Sequence, residues 1–273
     1  MHPAILLLTD SRLPAGGHAH SGGAEQAVAL GLVHDLPSLS SFLRGRLHTA
    51  GALAAALAAA ACLLAARVPG GVPPSGDGRR SWELLDAEAD ARTASPAQRE
   101  AARTQGRLLL RVARRLWPSP VLDALAGEVP SPHHPVALGA AAHAAGATPG
   151  DAALAAAYHA VTGPATAAVR LLGLDPVAVH GLLAGLTPEL ARLAEQAVTD
   201  ARPAGRIEQA DLDVPLSGRA EPADLDVPLS GRAEQGGGAL ERYDWGALGA
   251  PSAPALDLLA ERHARATVRL FVS

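Results

Sequence analysis

The chain has 273 residues, of which 48% are hydrophobic, 3% aromatic and 18% charged, and its formal net charge is −4. Alanine supplies much of the apolar content and is the strongest helix former, so we expect one large helical domain or two small ones, with packed helices rather than sheets. The charges are interspersed without a basic stripe, which argues against a nucleic-acid partner, and the absence of lysine excludes a P-loop nucleotide hydrolase.

The first segment combines a short apolar run with a glycine-rich loop. The run begins Met1-His2-Pro3 and lacks the basic residues that open a secretory signal, so we expect a cytoplasmic protein. The loop, residues 10–25, contains four glycines and a proline, which is typical of a backbone that closely approaches another group. A phosphate-binding loop is a weak alternative, because the glycine spacing does not fit a dinucleotide fingerprint. A tight turn before a helix that Ser21 caps, with Glu25 in its first turn, is the simpler interpretation.

A long helix is predicted next, beginning at Asp35 and running to Ala66. Residues 50–66 are uncharged, but they are mostly alanine, which favours a core helix over a membrane span. Cys62, the only cysteine, lies in this run, so the chain has neither an internal disulfide nor a thiolate metal cluster. We expect it to be a small buried apolar side chain.

Further start and stop signals divide the chain up to residue 201 into more helices. Starts are expected at Ser81, at Ser95 (a capping box with Gln98), near Val121, near Val136, at Thr148, at Asp175 and at Thr187-Pro188. Gly163-Pro164 is expected to interrupt the helix that begins at Thr148. No run alternates with period two, so we predict an all-α fold, a single-domain compact bundle of roughly eight to ten helices.

Residues 202–250 differ in composition from the helical domain, residues 1–201. The stretch ADLDVPLSGRAE, residues 210–221, is repeated letter for letter at residues 223–234, a tandem repeat with a 13-residue period. Two copies are too few for a solenoid, and the glycine, proline and aspartate content favours a flexible insert. A calcium site is a weak alternative, because the aspartates lack the spacing of an EF-hand. These aspartates are Asp211, Asp213, Asp224 and Asp226.

Residues 251–273 return to a helical pattern and end in an apolar tail. Amphipathic spacing predicts a short helix over residues 255–264. The tail, Val268-Arg269-Leu270-Phe271-Val272-Ser273, places an arginine among apolar residues, which favours docking in a groove. We assign this C-terminal helix and docking tail to the same domain as residues 1–201.

The glycine-rich loop and the tail resemble two motifs of the UreF family of urease accessory proteins. The first motif comprises Asp10-Ser11-Arg12-Leu13-Pro14, then Gly16-Gly17-His18-Ala19-His20-Ser21-Gly22-Gly23, and Glu25. The second comprises Pro254-Ala255-Leu256-Asp257-Leu258-Leu259, Arg262-His263 and Arg269-Leu270-Phe271-Val272-Ser273. Between them, in the order of the family, lie His134-Pro135-Val136-Ala137-Leu138-Gly139 and Ala168-Val169-Arg170-Leu171. The resemblance spans nearly the whole chain.

Three residues depart from the family pattern. His18 stands where many members carry an aromatic residue, Ala24 where leucine is common, and Ala264 where a glutamate usually follows the histidine. The first two changes bear on local packing. The third removes a carboxylate that a mechanism at this point would need, and the tandem repeat has no counterpart in the family pattern.

The resemblance implies a non-enzymatic helical protein without cofactors. It implies a dimer that binds UreD (also called UreH) and recruits the GTPase UreG, so that nickel reaches apo-urease, with no membrane or nucleic-acid partner. It also implies that both terminal motifs contact the partner. We predict these contacts at Arg12, Pro14, Gly16, Gly17, His18, His20, Ser21, Gly22, Glu25, Arg170, His263, Arg269, Leu270, Phe271 and Ser273.

Two other functions are compatible with these residues. An arginine could complete the active site of UreG in trans, which would make the protein a GTPase-activating or GTPase-gating regulator. Alternatively His18 and His20 could bind nickel directly, since imidazole is a common transition-metal ligand. His133 and His134 form a second histidine pair, whose distance from the first the sequence does not give.

Overall fold

The computed structural model describes residues 1–67, 81–201, 245 and 248–273, except for the side chain of His18. Over these residues the protein is a compact all-α fold, as predicted, and contains no strand. The α-helices are α1 (Ala4–Leu8), α2 (Ala24–Ala29), α3 (Leu36–Arg46), α4 (Ala52–Ala66), α5 (Ser81–Arg92), α6 (Pro96–Leu116), α7 (Pro120–Glu128), α8 (His134–Ala144), α9 (Pro149–Leu172), α10 (Pro176–Ala201) and α11 (Pro254–Arg265). The tandem repeat and its four aspartates lie outside the described residues.

Helix α4 is the centre of the fold, and α8, α9 and α10 pack around it. Eleven of its 15 residues are buried, and seven of these are alanines, whose small side chains let neighbouring backbones approach closely. The approach of α8 depends on Gly139. A Cβ atom at that position would lie 2.2 Å from the Ala58 carbonyl oxygen and 2.6 Å from the Ala61 Cβ. The core is therefore built from closely spaced helices rather than from large side chains.

A turn of π-helix, Leu47–Gly51, joins α3 and α4 into one helical rod. Among the described residues this rod, Leu36–Ala66, is one helix that is apolar and long enough to cross a membrane by length and composition alone. In its most apolar stretch, however, 67% of the residues are buried inside the protein. Cys62 lies there, 1% exposed, and burial, together with the charge of Asp151, raises the pKa of its thiol to about 12. The structure thus confirms a core helix and a buried cysteine, and the raised pKa disfavours the thiolate form that reacts.

Two helices continue through prolines at which the sequence predicted boundaries. Helix α9 runs unbroken past Pro164, and α10 runs past Pro188, so both predictions were wrong. A proline cannot donate to the carbonyl four residues before it, which leaves that oxygen without its helical partner. Side chains supply the missing donors. The Arg46 Nε–H donates to the Ala160 carbonyl at 2.9 Å, and the Thr187 hydroxyl donates to the Ala184 carbonyl at 2.7 Å.

Most of the predicted helix starts are confirmed by their caps. Asp35 caps α3, with Ser38 reciprocating, and Thr148 and Asp151 form a capping box at α9. The Ser95 side chain accepts from the Gln98 N–H at 3.2 Å, but the Gln98 amide donates to Asp257 instead of completing the predicted box. A side chain of α11 therefore takes part in fixing the start of α6.

Helix α11 returns the chain end to the bundle, against α6 and α2. The Glu261 carboxylate accepts from the Ser95 hydroxyl at 2.6 Å and from the Ala97 N–H at 2.9 Å. These bonds place a carboxylate at the amino end of α6, where the helix dipole favours negative charge. Trp245 and Leu248, which we expected in the flexible insert, are 5% and 3% exposed and belong to the core.

Candidate partner-binding site at the joined chain ends

The glycine-rich loop lies between α1 and α2, and the backbone requires glycine at three of its four glycine positions. Gly16, Gly22 and Gly23 have φ angles of 78°, 59° and 91°, in the left-handed region that favours glycine. A Cβ on Gly22 would also approach Arg46 Nη2 and Pro164 Cγ to 3.0 Å. Gly23 is the N-cap of α2, so the predicted cap at Ser21 is wrong. The Ser21 hydroxyl is instead buried and lacks a hydrogen-bond partner within the described residues.

The C-terminal tail lies directly against this loop. The Val272 N–H donates to the Ala19 carbonyl at 2.7 Å, and the Ser21 N–H donates to the Ser273 carbonyl at 2.5 Å. The His20 Nδ1 and the Ser273 hydroxyl are 2.5 Å apart. The groove that the sequence predicted for the tail is thus provided, at least in part, by the chain's own amino end.

Glu25 holds the tail in place by its carboxylate. Its two oxygens accept from the Leu270 N–H at 2.6 Å and from the Phe271 N–H at 3.1 Å. His263 lies behind them, with Nε2 3.2 Å from the Phe271 carbonyl and Nδ1 3.6 Å from the carboxylate. A carbonyl only accepts, so Nε2 carries a proton. The two bonds that the Glu25 carboxylate accepts from the tail are charge-assisted, and such bonds are stronger than bonds between neutral groups.

Phe271 anchors the tail in the interior. It is 6% exposed and packs in a small cluster with Ala24 and Ala167. The Arg170 guanidinium carbon lies 5.0 Å from the centre of the Phe271 ring, within range of a cation–π interaction. Ala24, where the family pattern often has leucine, contributes to this cluster with no exposed surface.

Neighbouring tail residues point in the opposite direction. Val268, Leu270 and Val272 are 87%, 58% and 61% exposed, which leaves an apolar strip on the outside of the docked tail. Arg269 lies within the strip and is also exposed. We call Val268, Leu270 and Val272 the tail strip. Such a strip at a rigidly held segment is typical of a protein contact surface.

The predicted contact residues therefore fall into two groups, and partner contact itself stays a prediction. One group holds the two chain ends together and is largely buried: His20, Ser21, Glu25, His263 and Phe271. The other group is exposed around them: Arg12, Pro14, Gly17, Arg170, Arg269 and Leu270. Gly16, Gly22 and Ser273 are partly exposed at the joint, and the side chain of His18 is outside the description.

A cavity of about 1160 Å³ extends inward from this joint. Its lining includes His20, Arg46, His133, His134 and His159, so the structure brings members of both predicted histidine pairs to one space. The rings of His134 and His159 have centroids 5.6 Å apart. Burial, aided by His159 and His20, lowers the pKa of His134 to about 3. Burial lowers the pKa of His159 to about 4, so both rings are neutral at pH 7.

Two of these lining residues were missed in the sequence. Arg46 looked like an ordinary basic residue near a helix end, because its partner, Ala160, is 114 positions away. Burial lowers the pKa of Arg46 to about 10, so its guanidinium remains charged at pH 7. His159 left a signal that could have been used, since Tyr158-His159 is a polar pair within an alanine-rich helix.

His133, although adjacent to His134, belongs to a different cluster. Its Nε2 lies 2.8 Å from an Asp90 oxygen, and its backbone N–H donates to Asp86 at 2.7 Å. The three side chains bring ligand atoms within 4.8 Å of one another, which is the spacing of a metal site. The Arg103 guanidinium bonds both carboxylates, however, and so already provides the cation. This cluster is an ion-pair network that ties α5 and α6 to the start of α8.

Comparisons with known proteins identify the family of the chain. The UreF family model matches residues 33–187, more than half of the chain. A urease accessory protein UreF from Mycolicibacterium vanbaalenii is 47% identical over 197 residues, covering 72% of this chain and 84% of that protein. The UreF proteins of Mycobacterium marinum and Mycobacterium tuberculosis are 44% and 42% identical, each covering 72% of this chain and 83% of its relative. The chain belongs to the UreF family of urease accessory proteins.

Proposed function

We propose that the protein is a cytoplasmic urease maturation factor that acts as a scaffold rather than as an enzyme. It binds UreD/UreH through the joined chain ends and, as a homodimer within the complex, recruits UreG so that nickel reaches apo-urease. The observation that supports this most directly is the tail strip, an apolar surface held outward by a buried anchor at Phe271. The membership of the UreF family supports the pathway.

The docked tail suits binding because its backbone is already ordered before a partner arrives, so association does not have to supply the conformational entropy of ordering it. Glu25 and Phe271 fix the backbone, so the tail strip loses little conformational freedom on association. Arg269 in the tail and Arg12 in the glycine-rich loop are exposed and can provide the polar rim of an interface. Apolar residues surrounded by arginines are typical of protein contact surfaces.

The tail strip can be tested without disturbing the anchor. Leu270→Asp/Val272→Asp should abolish co-purification with UreD, because two charges would have to be desolvated in the interface. The matched control, Leu32→Asp/Leu84→Asp, changes two residues that are 59% and 55% exposed elsewhere on the surface. If the tail variant still binds UreD as the control does, this role of the joined ends is wrong. Deletion of residues 266–273 should likewise remove binding while leaving the helical circular-dichroism signal.

The histidine-lined cavity favours a second candidate function, in which the cavity binds nickel or lines a route along which nickel passes. Neutral imidazoles offer nitrogen lone pairs that suit a borderline divalent cation, and the lowered pKa values keep His134 and His159 neutral at pH 7. Equilibrium dialysis against nickel should show binding that His134→Gln/His159→Gln weakens about tenfold. His18→Ala/His20→Ala tests the pair predicted from the sequence. Equal nickel binding by wild type and both variants would leave the scaffold role alone.

A further inference from the structure

Helix α6 carries an uneven charge that folding places on one face. Its 21 residues include six arginines and one acidic residue, Glu100. Arg107, Arg111 and Arg115 are spaced four apart, so they lie along one exposed side of the helix. The inner side carries the buried residues Gly106, Leu109, Leu110 and Ala113. The sequence showed no basic stripe because these charges are separated by apolar residues along the chain.

The arginines of α6 differ in how well they are neutralised. Arg103 bonds Asp86 and Asp90, Arg114 lies 2.6 Å from an Asp123 oxygen, and Arg99 donates to backbone carbonyls. Within the described part of the chain, Arg107, Arg111 and Arg115 make no hydrogen bond or ion pair. We call these three the arginine stripe. Like charges at this spacing repel one another along a helix. Arg115 lies in the last turn, where the helix dipole favours positive charge, so the repulsion without an internal offset is that of Arg107 and Arg111.

We propose that the arginine stripe is a docking surface for a carboxylate-rich face of a protein partner. Guanidinium groups pair with carboxylates through two parallel hydrogen bonds, and three in a row span about 12 Å of helix. Apolar contacts are available beside them, since Leu116 is 52% exposed and Trp117 is half-buried at the end of α6. Arginine and tryptophan are enriched in the energetic centres of protein interfaces.

A protein partner fits the stripe better than a nucleic acid or an anionic membrane. Nucleic-acid binding typically uses about 6–10 phosphate contacts, and attraction to an anionic membrane typically uses clusters of about 4–8 basic residues, whereas the stripe has three arginines. An acidic patch on a protein is small enough to match three arginines, because salt screens the rest of the surface beyond about 8 Å. The proposal does not depend on the function proposed above.

Two variants with the same charge change test the stripe in the full chain. Arg107→Glu/Arg111→Glu reverses two stripe residues, and Arg192→Glu/Arg262→Glu reverses two exposed arginines on α10 and α11. Binding of fluorescein-labelled poly-L-glutamate, measured by anisotropy, should weaken about tenfold in the stripe variant and stay within about twofold in the control. Binding by wild type should also fall with added salt. Equal loss in both variants would mean that the effect is general charge repulsion and would overturn the proposal.

Competing ligands are measured with the same proteins. Single-stranded DNA and phosphatidylglycerol vesicles should bind weakly and without dependence on the stripe. If either depends on Arg107 and Arg111 while poly-L-glutamate does not, the surface recognises phosphate and the proposal is wrong. Co-purification with UreD, UreG and apo-urease then separates the two proposals of function. An assembly that forms equally well with wild type and stripe variant, together with unchanged poly-L-glutamate binding, refutes the stripe and leaves the scaffold intact.

Discussion

Gly139 has room for a hydrogen atom and for nothing larger, because α4 crosses it at the Ala58 carbonyl. At this scale a single methyl group decides whether two central helices can meet. Glu25 illustrates the same point for charge, since one carboxylate holds the backbone of a tail 245 residues away. Both residues can be tested by the smallest change that removes the feature.

Gly139→Ala should destabilise the protein by about 1–3 kcal/mol, the usual cost of overpacking a core. The added Cβ would lie 2.2 Å from the Ala58 carbonyl oxygen, so α4 and α8 would have to move apart. Urea unfolding followed by circular dichroism measures the change. Gly127→Ala in α7 is the matched control, because a Cβ there meets nothing within 4 Å. The control should be neutral or stabilising by up to about 1 kcal/mol, and an equal loss in both variants would contradict the packing argument.

Glu25→Gln should loosen the tail without unfolding the bundle. Glutamine keeps one acceptor oxygen and loses the charge, and hydrogen bonds to charged groups contribute about 1.5–3 kcal/mol. We expect amide hydrogen exchange at Leu270 and Phe271 to accelerate by about tenfold or more. Glu195→Gln, an exposed change on α10, should leave that exchange unaltered. Unchanged protection in Glu25→Gln would show that the Glu25 carboxylate is not needed to hold the tail.

At the scale of elements, helix starts with a local side-chain cap could be predicted, whereas the continuation of a helix through a proline could not. Capping by Asp35 and Thr148 is local, because each side chain bonds a backbone group three residues away. Proline is also a local signal, but whether it ends a helix depends on a donor from elsewhere. Pro164 is tolerated because Arg46, on another helix, supplies the bond to the Ala160 carbonyl. A rule based on neighbouring residues alone fails at such a site.

This account of Pro164 predicts coupling between two helices. Arg46→Met should cost about 1–3 kcal/mol, because it leaves the buried Ala160 carbonyl without a donor. Pro164→Ala restores a backbone N–H and should recover part of that loss in the Arg46→Met background. A double-mutant cycle by urea unfolding should give a coupling of about 1 kcal/mol. As a control, Arg44→Met removes a surface ion pair in which Arg44 Nη2 lies 3.4 Å from a Glu189 carboxylate oxygen. It should change stability by less than about 1 kcal/mol. Strict additivity would refute the coupling.

At the scale of the whole molecule, the two half-buried cavity histidines, His134 and His159, make stability depend on pH. The pKa values of His134 and His159 fall to about 3 and about 4 in the folded protein, from an ordinary value of 6.5 for histidine. The stability that their neutral forms provide is therefore fully present above pH 6.5. It is lost as the pH falls from 6.5 toward 4, because in this range the unfolded chain binds protons that the folded protein largely does not. Between pH 7 and 5 the loss should amount to about 1–4 kcal/mol.

The variant His134→Gln/His159→Gln isolates this contribution from other titrating groups. Its unfolding free energy should vary less between pH 7 and 5 than that of wild type. His180→Gln, an exposed histidine on α10, is the control and should keep the wild-type slope. Parallel slopes for wild type and the double variant would show that the cavity histidines do not titrate as described.

The sequence pointed to both chain ends, but not to their contact. The two terminal motifs could be recognised because each is short and distinctive, and they contain Glu25 and Phe271. That Glu25 accepts from the tail backbone could not be predicted, since no local pattern links residues so far apart. The cavity was missed for the same reason, because His20, His134 and His159 come from three separate elements. The exposed strip on the tail follows only once Phe271 is known to point inward.

The contact between the glycine-rich loop and the tail also affects the order of folding. His20 and Ser273 are 253 positions apart, so closing this contact has a large entropic cost that local helix contacts do not share. The helices of the bundle should therefore become protected first and the joined ends last. The same contact should be the first to open under mild denaturant. The surface proposed to bind a partner would then be the latest part of the molecule to form, and a bound partner would stabilise it most.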